Sequence, residues 1–185
     1  MTKLVRVAAV LALLASASLW AQSSEPKTIA QILDRSVSGV ENEVVSAVDA
    51  MPEDKFSFAP SNGEFKGVKD FATQAKHIAH VNYLVAAGLL GEKPPVDIGE
   101  DNGPAAMKSK AEIVKFVKDS FAYAHKAIAT FTEKNVAAEM ASPFGDGKTT
   151  RLSMAVLIVG HSFDHYGQIV EYLRMNSIIP PASRQ

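Results

Sequence analysis

The 185-residue chain contains no cysteine. That absence excludes disulfides, thiolate catalysis, thiolate metal ligands and a lipid-modified N-terminal cysteine. Any metal must be held by His, Asp or Glu. Net positive charge is also lacking: 19 Lys and Arg stand against 20 Asp and Glu. No electrostatic footprint for nucleic acid exists in such a balance. Two motifs are missing at the decisive residue. "GDGKTT" contains Gly-Lys-Thr, but a phosphate loop needs a glycine five residues before Gly147, and Ser142 stands there. The pair His161 and His165 is not part of an HExxH motif, because Ser162 follows the first histidine, so the zincin protease mechanism does not apply.

The N-terminus is rich in what a secretory signal requires. Lys3 and Arg6 precede the apolar run Val7 to Leu14, and small residues lead into Leu19-Trp20-Ala21-Gln22. The run is too short to span a bilayer and is followed by a small-residue exit. Residues 1–21 are therefore expected to be a cleaved signal peptide, with cleavage after Ala21, or alternatively after Ala17. The competing interpretation is a buried N-terminal helix. Without Lys3 and Arg6, 17 basic residues face 20 acidic ones, a net charge of −3. The mature chain, residues 22–185, is expected to be one periplasmic or secreted domain with no membrane insertion after processing.

Hydrophobic spacing predicts four helices. Thr28-Ile29-Ala30-Gln31 has the form of a capping box, and Ile29, Leu33, Val37, Val40, Val44 and Val48 form a stripe that ends before Pro52. A second helix is expected from about Val68 to Leu90, closed by Gly91. A third is expected from about Lys108 to Ala138, with Ile113, Val117, Phe121, Ala124, Ile128 and Phe131 inside. The fourth runs from about Arg151 to Asn176. With no strand alternation and no internal repeat, the expected class is all-α, a four-helix bundle. The loops after helices one and two are long enough to cross the bundle.

His161 and His165 are four apart in the fourth helix. That spacing differs by about 40° in azimuth and about 6 Å in rise, so both imidazoles point the same way. They fall on the stripe Met154, Ile158, His161, His165, Ile169 and Tyr172, which faces the core. Taken alone, the pair reads either as metal ligands or as hydrogen-bonded core histidines, since unsatisfied imidazole nitrogens are costly to bury. Helix two offers His77, on a stripe with Val81, Leu84 and Gly88, and His80, whose stripe of Thr73, Lys76 and Tyr83 reads as a rim. His77 is the inward one. His125, between Phe121 and Ile128, reads as structural.

These residues carry a resemblance. Phe71-Ala72-Thr73-Gln74-Ala75-Lys76-His77-Ile78, followed by His161-Ser162-Phe163-Asp164-His165-Tyr166-Gly167-Gln168-Ile169, is similar to the DinB-like four-helix-bundle superfamily. The resemblance covers essentially the whole mature chain. It implies a three-histidine site for a divalent metal, carried by His77, His161 and His165. It further implies a bundle with crossed connections, often a homodimer, and a metal-dependent hydrolase or a transferase of low-molecular-weight thiols. Members commonly have a bulkier basic residue where Tyr166 stands, a departure that leaves metal binding untouched.

Zn²⁺ is the expected ion, with Ni, Fe and Mn as alternatives, and the substrate would be a small molecule. Three neutral imidazoles leave a coordination position open, and an open Zn²⁺ site lowers the pKa of bound water to about 7. Asp164 and Gln168 are the nearest candidate proton acceptors. Asp164 shares its stripe with Gly160, Gly167 and Glu171. The two glycines suggest a closely packed helix neighbour, from the same chain or from a dimer partner, so Asp164 is expected to pack or to support the ligands rather than to react. A non-catalytic metal-binding or structural bundle is the other function class.

Overall fold

Thr28 opens the first helix as the spacing predicts. Its hydroxyl accepts from the Gln31 amide, and the Gln31 side chain accepts from the Thr28 amide. The computed structural model describes residues 27–184. The signal-peptide expectation therefore lies outside the described residues. Helix α1 spans Ile29–Ala50, α2 Phe71–Leu90, α3 Lys110–Ile128 and α4 Arg151–Met175. Each begins at a side chain that accepts a backbone amide of the first turn: Thr28, Asp70, Ser109 and Thr150. Such caps satisfy donors that the helix cannot. Gly91 closes α2 in the left-handed region at φ 70°, where a residue without Cβ is least strained.

The core is the sum of four stripes. Val37, Val40, Val44 and Val48 of α1 meet Ile113, Val117, Phe121, Ala124 and Ile128 of α3, and all are fully buried. Ile158, Ile169 and Leu173 of α4 and Ile78 of α2 complete it. Helix α1 packs on α3 and α4, and α2 packs on the same two helices. Consecutive helices α1 and α2 are thus not principal neighbours, and the connection 51–70 crosses the bundle. The connection 91–109 does not cross, because α2 and α3 pack together. The second crossing is made by 129–150, between α3 and α4.

The third helix stops ten residues before its expected end. Thr130 Oγ1 donates to Ala127 O, and Asn135 both accepts from the Thr132 amide and donates to Thr130 O. Local side-chain bonds of this kind compete with helix continuation. The chain then forms a short hairpin that the spacing did not predict. Strand β1, Glu139–Ala141, pairs antiparallel with β2, Lys148–Thr150, in the register Met140 opposite Thr149. Three-residue strands are too short to show alternation.

His125 clasps α3 to α1. Its Nδ1 lies 2.5 Å from Asp34 Oδ1 and its Nε2 3.0 Å from Glu41 Oε2. Carboxylates only accept, so both ring nitrogens must be protonated for both bonds to form. Burial opposes that charge, but the two carboxylates outweigh it and hold the ring above its ordinary pKa. A raised folded-state pKa gives stability that is complete below about 6.5 and is lost as pH rises through the folded value. His125→Gln is expected to melt below wild type at pH 6, with the gap narrowing towards pH 9. Thermal melts across that range check it.

Candidate metal centre

Helices α2 and α4 pack together, and the contact brings His77 against His161 and His165. The three ring centroids stand 4.9, 4.7 and 4.5 Å apart. One nitrogen from each ring lies within 4.8 Å of the other two. His77 Nε2 and His161 Nε2 are 3.1 Å apart. Two nitrogens bound to one ion at about 2.0–2.1 Å, with angles between square and tetrahedral, sit about 2.9–3.4 Å apart. The donor set and its spacing fit a single divalent ion.

Neighbouring acceptors set which nitrogen of each ring is free. His77 Nδ1 lies 2.5 Å from the backbone oxygen of Asp101, so it carries the proton and leaves Nε2 as a lone pair. His165 Nδ1 lies 2.6 Å from Gln74 Oε1, and Gln74 Nε2 donates to Gln168 Oε1 at 2.7 Å. The Gln168 amide nitrogen, at 3.4 Å from the same Nδ1, is a second donor facing a donor and does not alter that assignment. His165 therefore also presents Nε2. His161 Nδ1 is buried without a hydrogen-bond partner among the described residues. Orienting a ligand histidine through its other nitrogen is the usual supporting arrangement at metal sites.

The site disfavours protons. Burial, reinforced by His165 and His77, lowers the His161 pKa to about 3. Burial and the neighbouring His77 lower that of His165 to about 4, with Asp164 pulling weakly the other way. Both rings are neutral at pH 7, as ligation requires.

A strap made by the loop 91–109 holds His77 in place. Asp101 Oδ2 is 2.7 Å from Lys69 Nζ, and its Oδ1 is 3.3 Å from His77 Nδ1. The hydrogen bond from Lys69 keeps the Asp101 carboxyl below its usual range. Two glycines make the strap's turn. A Cβ on Gly103 (φ 73°) would lie 2.7 Å from Lys76 Cβ, and one on Gly99 (φ 64°) would lie 2.4 Å from the Gly103 carbonyl carbon. Gly103→Ala is therefore expected to displace the strap and weaken metal binding roughly 10–100-fold, the usual effect of losing a ligand's support. Asp101→Ala keeps the backbone oxygen that anchors His77 and should cost less. Calorimetric titration of the two variants with Zn²⁺ checks the order.

The other sequence-predicted residues fall as follows. His80 is half-buried at the edge, as expected. Its stripe is not a rim, however: Lys76 and Tyr83 are buried, Lys76 under the 91–109 loop and Tyr83 against Phe116 and Tyr123 of α3. Lys76 Nζ donates to Pro104 O. Asp164 is exposed. Gly160 and Gly167 face open space, with nothing within 4 Å of an added Cβ, so no helix of the described residues packs there. Gln74, Asp101 and Lys69 take supporting positions that residue spacing alone does not show. Gln74 lies one turn before His77, and "GEDNG" is a turn signal, which marks where such support could come from.

The DinB superfamily model matches residues 37–169. The chain belongs to the DinB superfamily. It is similar to the crystal structure of a DinB-like protein from Bacillus cereus, with a TM-score of 0.65 and 15% identity over 80% of this chain and 93% of that one. It is also similar to a conserved protein from Enterococcus faecalis, with a TM-score of 0.63 and 13% identity over 81% and 98% of the two chains. No curated protein matches the chain. At these identities the two structures speak for the fold.

Proposed function

We propose that this is an exported DinB-superfamily protein that binds one divalent metal through His77, His161 and His165. The observation that carries the proposal is the convergence of the three rings, with His77 and His165 both held in the tautomer that offers Nε2. A three-nitrogen set suits Zn²⁺ first, with Ni, Fe and Mn as alternatives. A bound ion at His161 Nε2 would offset the cost of leaving Nδ1–H buried without an acceptor, about 1–3 kcal/mol. When bound, the metal supplies Lewis acidity and a more acidic water. The chain's own residues orient the His77 and His165 rings and keep His161 and His165 neutral.

The reaction we favour is hydrolysis of, or group transfer on, a small molecule at the three rings. One observation favours the second reading, a metal-binding bundle without turnover: the carboxylates near the site are occupied or turned outward. Asp101 is tied to Lys69 and His77, and Asp164 is exposed. Elemental analysis of purified protein, with activity screening before and after chelation, separates the readings. Protein without stoichiometric metal after purification and zinc loading would end the proposal.

Export rests on the residues 1–21. N-terminal sequencing of protein from the expressing cell should find a start near Gln22, and a cytosolic chain starting at Met1 would overturn it. The homodimer has its most suitable surface on the outer face of α4. There Leu152, Val156 and Phe163 are exposed beside the open Gly160 and Gly167, and glycines let backbones approach closely. Val156→Glu should then convert a dimer to a monomer in light scattering; a monomeric wild type would remove the proposal.

A further inference from the structure

The 91–109 strap anchors two histidines of α2. It holds His77 through Asp101 O, and three residues earlier it holds His80: His80 Nδ1 lies 3.0 Å from the backbone oxygen of Ile98. A carbonyl only accepts, so His80 also carries its proton on Nδ1 and offers an unprotonated Nε2. The two rings are parallel to within 8°, with centroids 6.5 Å apart. The same ring atom is anchored to the same loop in two parallel rings three residues apart on α2. His80 is thus built as the ligand histidines are, yet it is not one of the three converging rings. Its Nε2 takes no hydrogen bond among the described residues, and the side chain is half-buried at the edge of the site.

We propose that His80 is the proton acceptor at the edge of the three-histidine site, taking a proton at Nε2 from a water or hydroxyl beside the three rings. The inference rests on the metal-centre reading above. The competing acceptors are committed elsewhere. Asp101 is paired with Lys69, Asp164 is exposed, and Gln168 is an amide spent on Gln74. A parallel ring 6.5 Å away cannot share the ion that His77 holds at about 2 Å, which leaves its lone pair for proton transfer. In ester hydrolysis the water O–H bond breaks, the proton forms N–H at His80 Nε2, and the oxygen bonds to the carbonyl carbon. The ester C–O bond then breaks, and the proton passes from Nε2 to the departing alkoxide. Atoms and charge balance with water as the only co-reactant.

The test uses zinc-loaded full-length mature protein, with p-nitrophenyl acetate as the probe ester and ¹⁵N-labelled histidine for NMR. His80→Gln should keep one equivalent of zinc while ester cleavage falls roughly 100-fold, the scale of a lost general base. Added imidazole should restore part of that rate. The spectra should show His80 protonated at Nδ1, with Nε2 free of both proton and metal, before and after zinc. A proton or metal on His80 Nε2, an unchanged rate in the variant, or a loaded wild type that does not cleave the ester would each overturn the role. Wild-type protein that binds no zinc would sink the metal centre itself, and this role with it.

Discussion

His77→Ala should remove bound zinc or lower its affinity by well over the roughly 10–100-fold that follows loss of a ligand's supporting hydrogen bond. His80→Ala should leave one equivalent in place. The contrast follows from geometry. His77 Nε2 stands 3.1 Å from His161 Nε2, inside the spacing that two ligands of one ion adopt, whereas the His80 ring is a helical turn away from its neighbour. Removing His77 also breaks the only ligand contribution from α2 and leaves two histidines on one helix, so the ion no longer joins α2 to α4. Loss of a buried imidazole that lies against two other imidazoles opens no large apolar cavity, and the variant should fold. Titration with Zn²⁺ followed by calorimetry measures both affinities. The opposite order, with His80→Ala losing the metal, would mean that the α2 ligand has been assigned to the wrong turn of the helix.

The convergence of His77 with His161 and His165 was legible in the sequence because burial follows helical period. Val81 continues the stripe of His77 into the core, and His161 and His165 lie between Ile158 and Ile169, which are fully buried. The caps at Thr28 and Ser109 were equally readable or recoverable from side-chain chemistry, since each pairs with Gln31 or Glu112 three residues on. What the period could not show was long-range closure. Lys76 sits where a free α2 would be wet, and it is buried where the loop after α2 returns over it. The same closure delivers the Ile98 and Asp101 carbonyls to His80 and His77. Backbone oxygens have no letter in the sequence, so the strongest orientation device of the site was invisible there. Helix α3 shows a different limit. Lys110–Ile128 is strongly periodic, and the stripe continues to the buried Phe131, but Thr130, Thr132 and Asn135 bond locally and end the helix before the apolar pattern does.

Chelation should lower the melting temperature of the zinc-loaded protein strongly at pH 7.5 and weakly at pH 4. Metal that binds only the folded state at 100 times Kd adds about 2.7 kcal/mol. For a domain of this size each kcal/mol is worth about 2–4 °C, so the expected drop is roughly 5–11 °C. Protons compete with metal for neutral imidazoles, and the folded site resists that competition. Burial first, and then the neighbouring rings, lowers His161 to about 3 and His165 to about 4. The sign follows from linkage. In the unfolded chain these histidines protonate near pH 6.5, so the unfolded state binds more protons between that value and the folded pKa values. Stability is therefore present above about 6.5 and falls as pH drops towards 4, in the metal-free protein as well. The metal increment should persist below pH 6.5 and shrink as His165 begins to take its proton near pH 4. Melts with and without chelator at pH 7.5, 5.5 and 4 measure both trends. A melt that ignores the chelator at every pH would leave three closely packed histidines with a structural role alone.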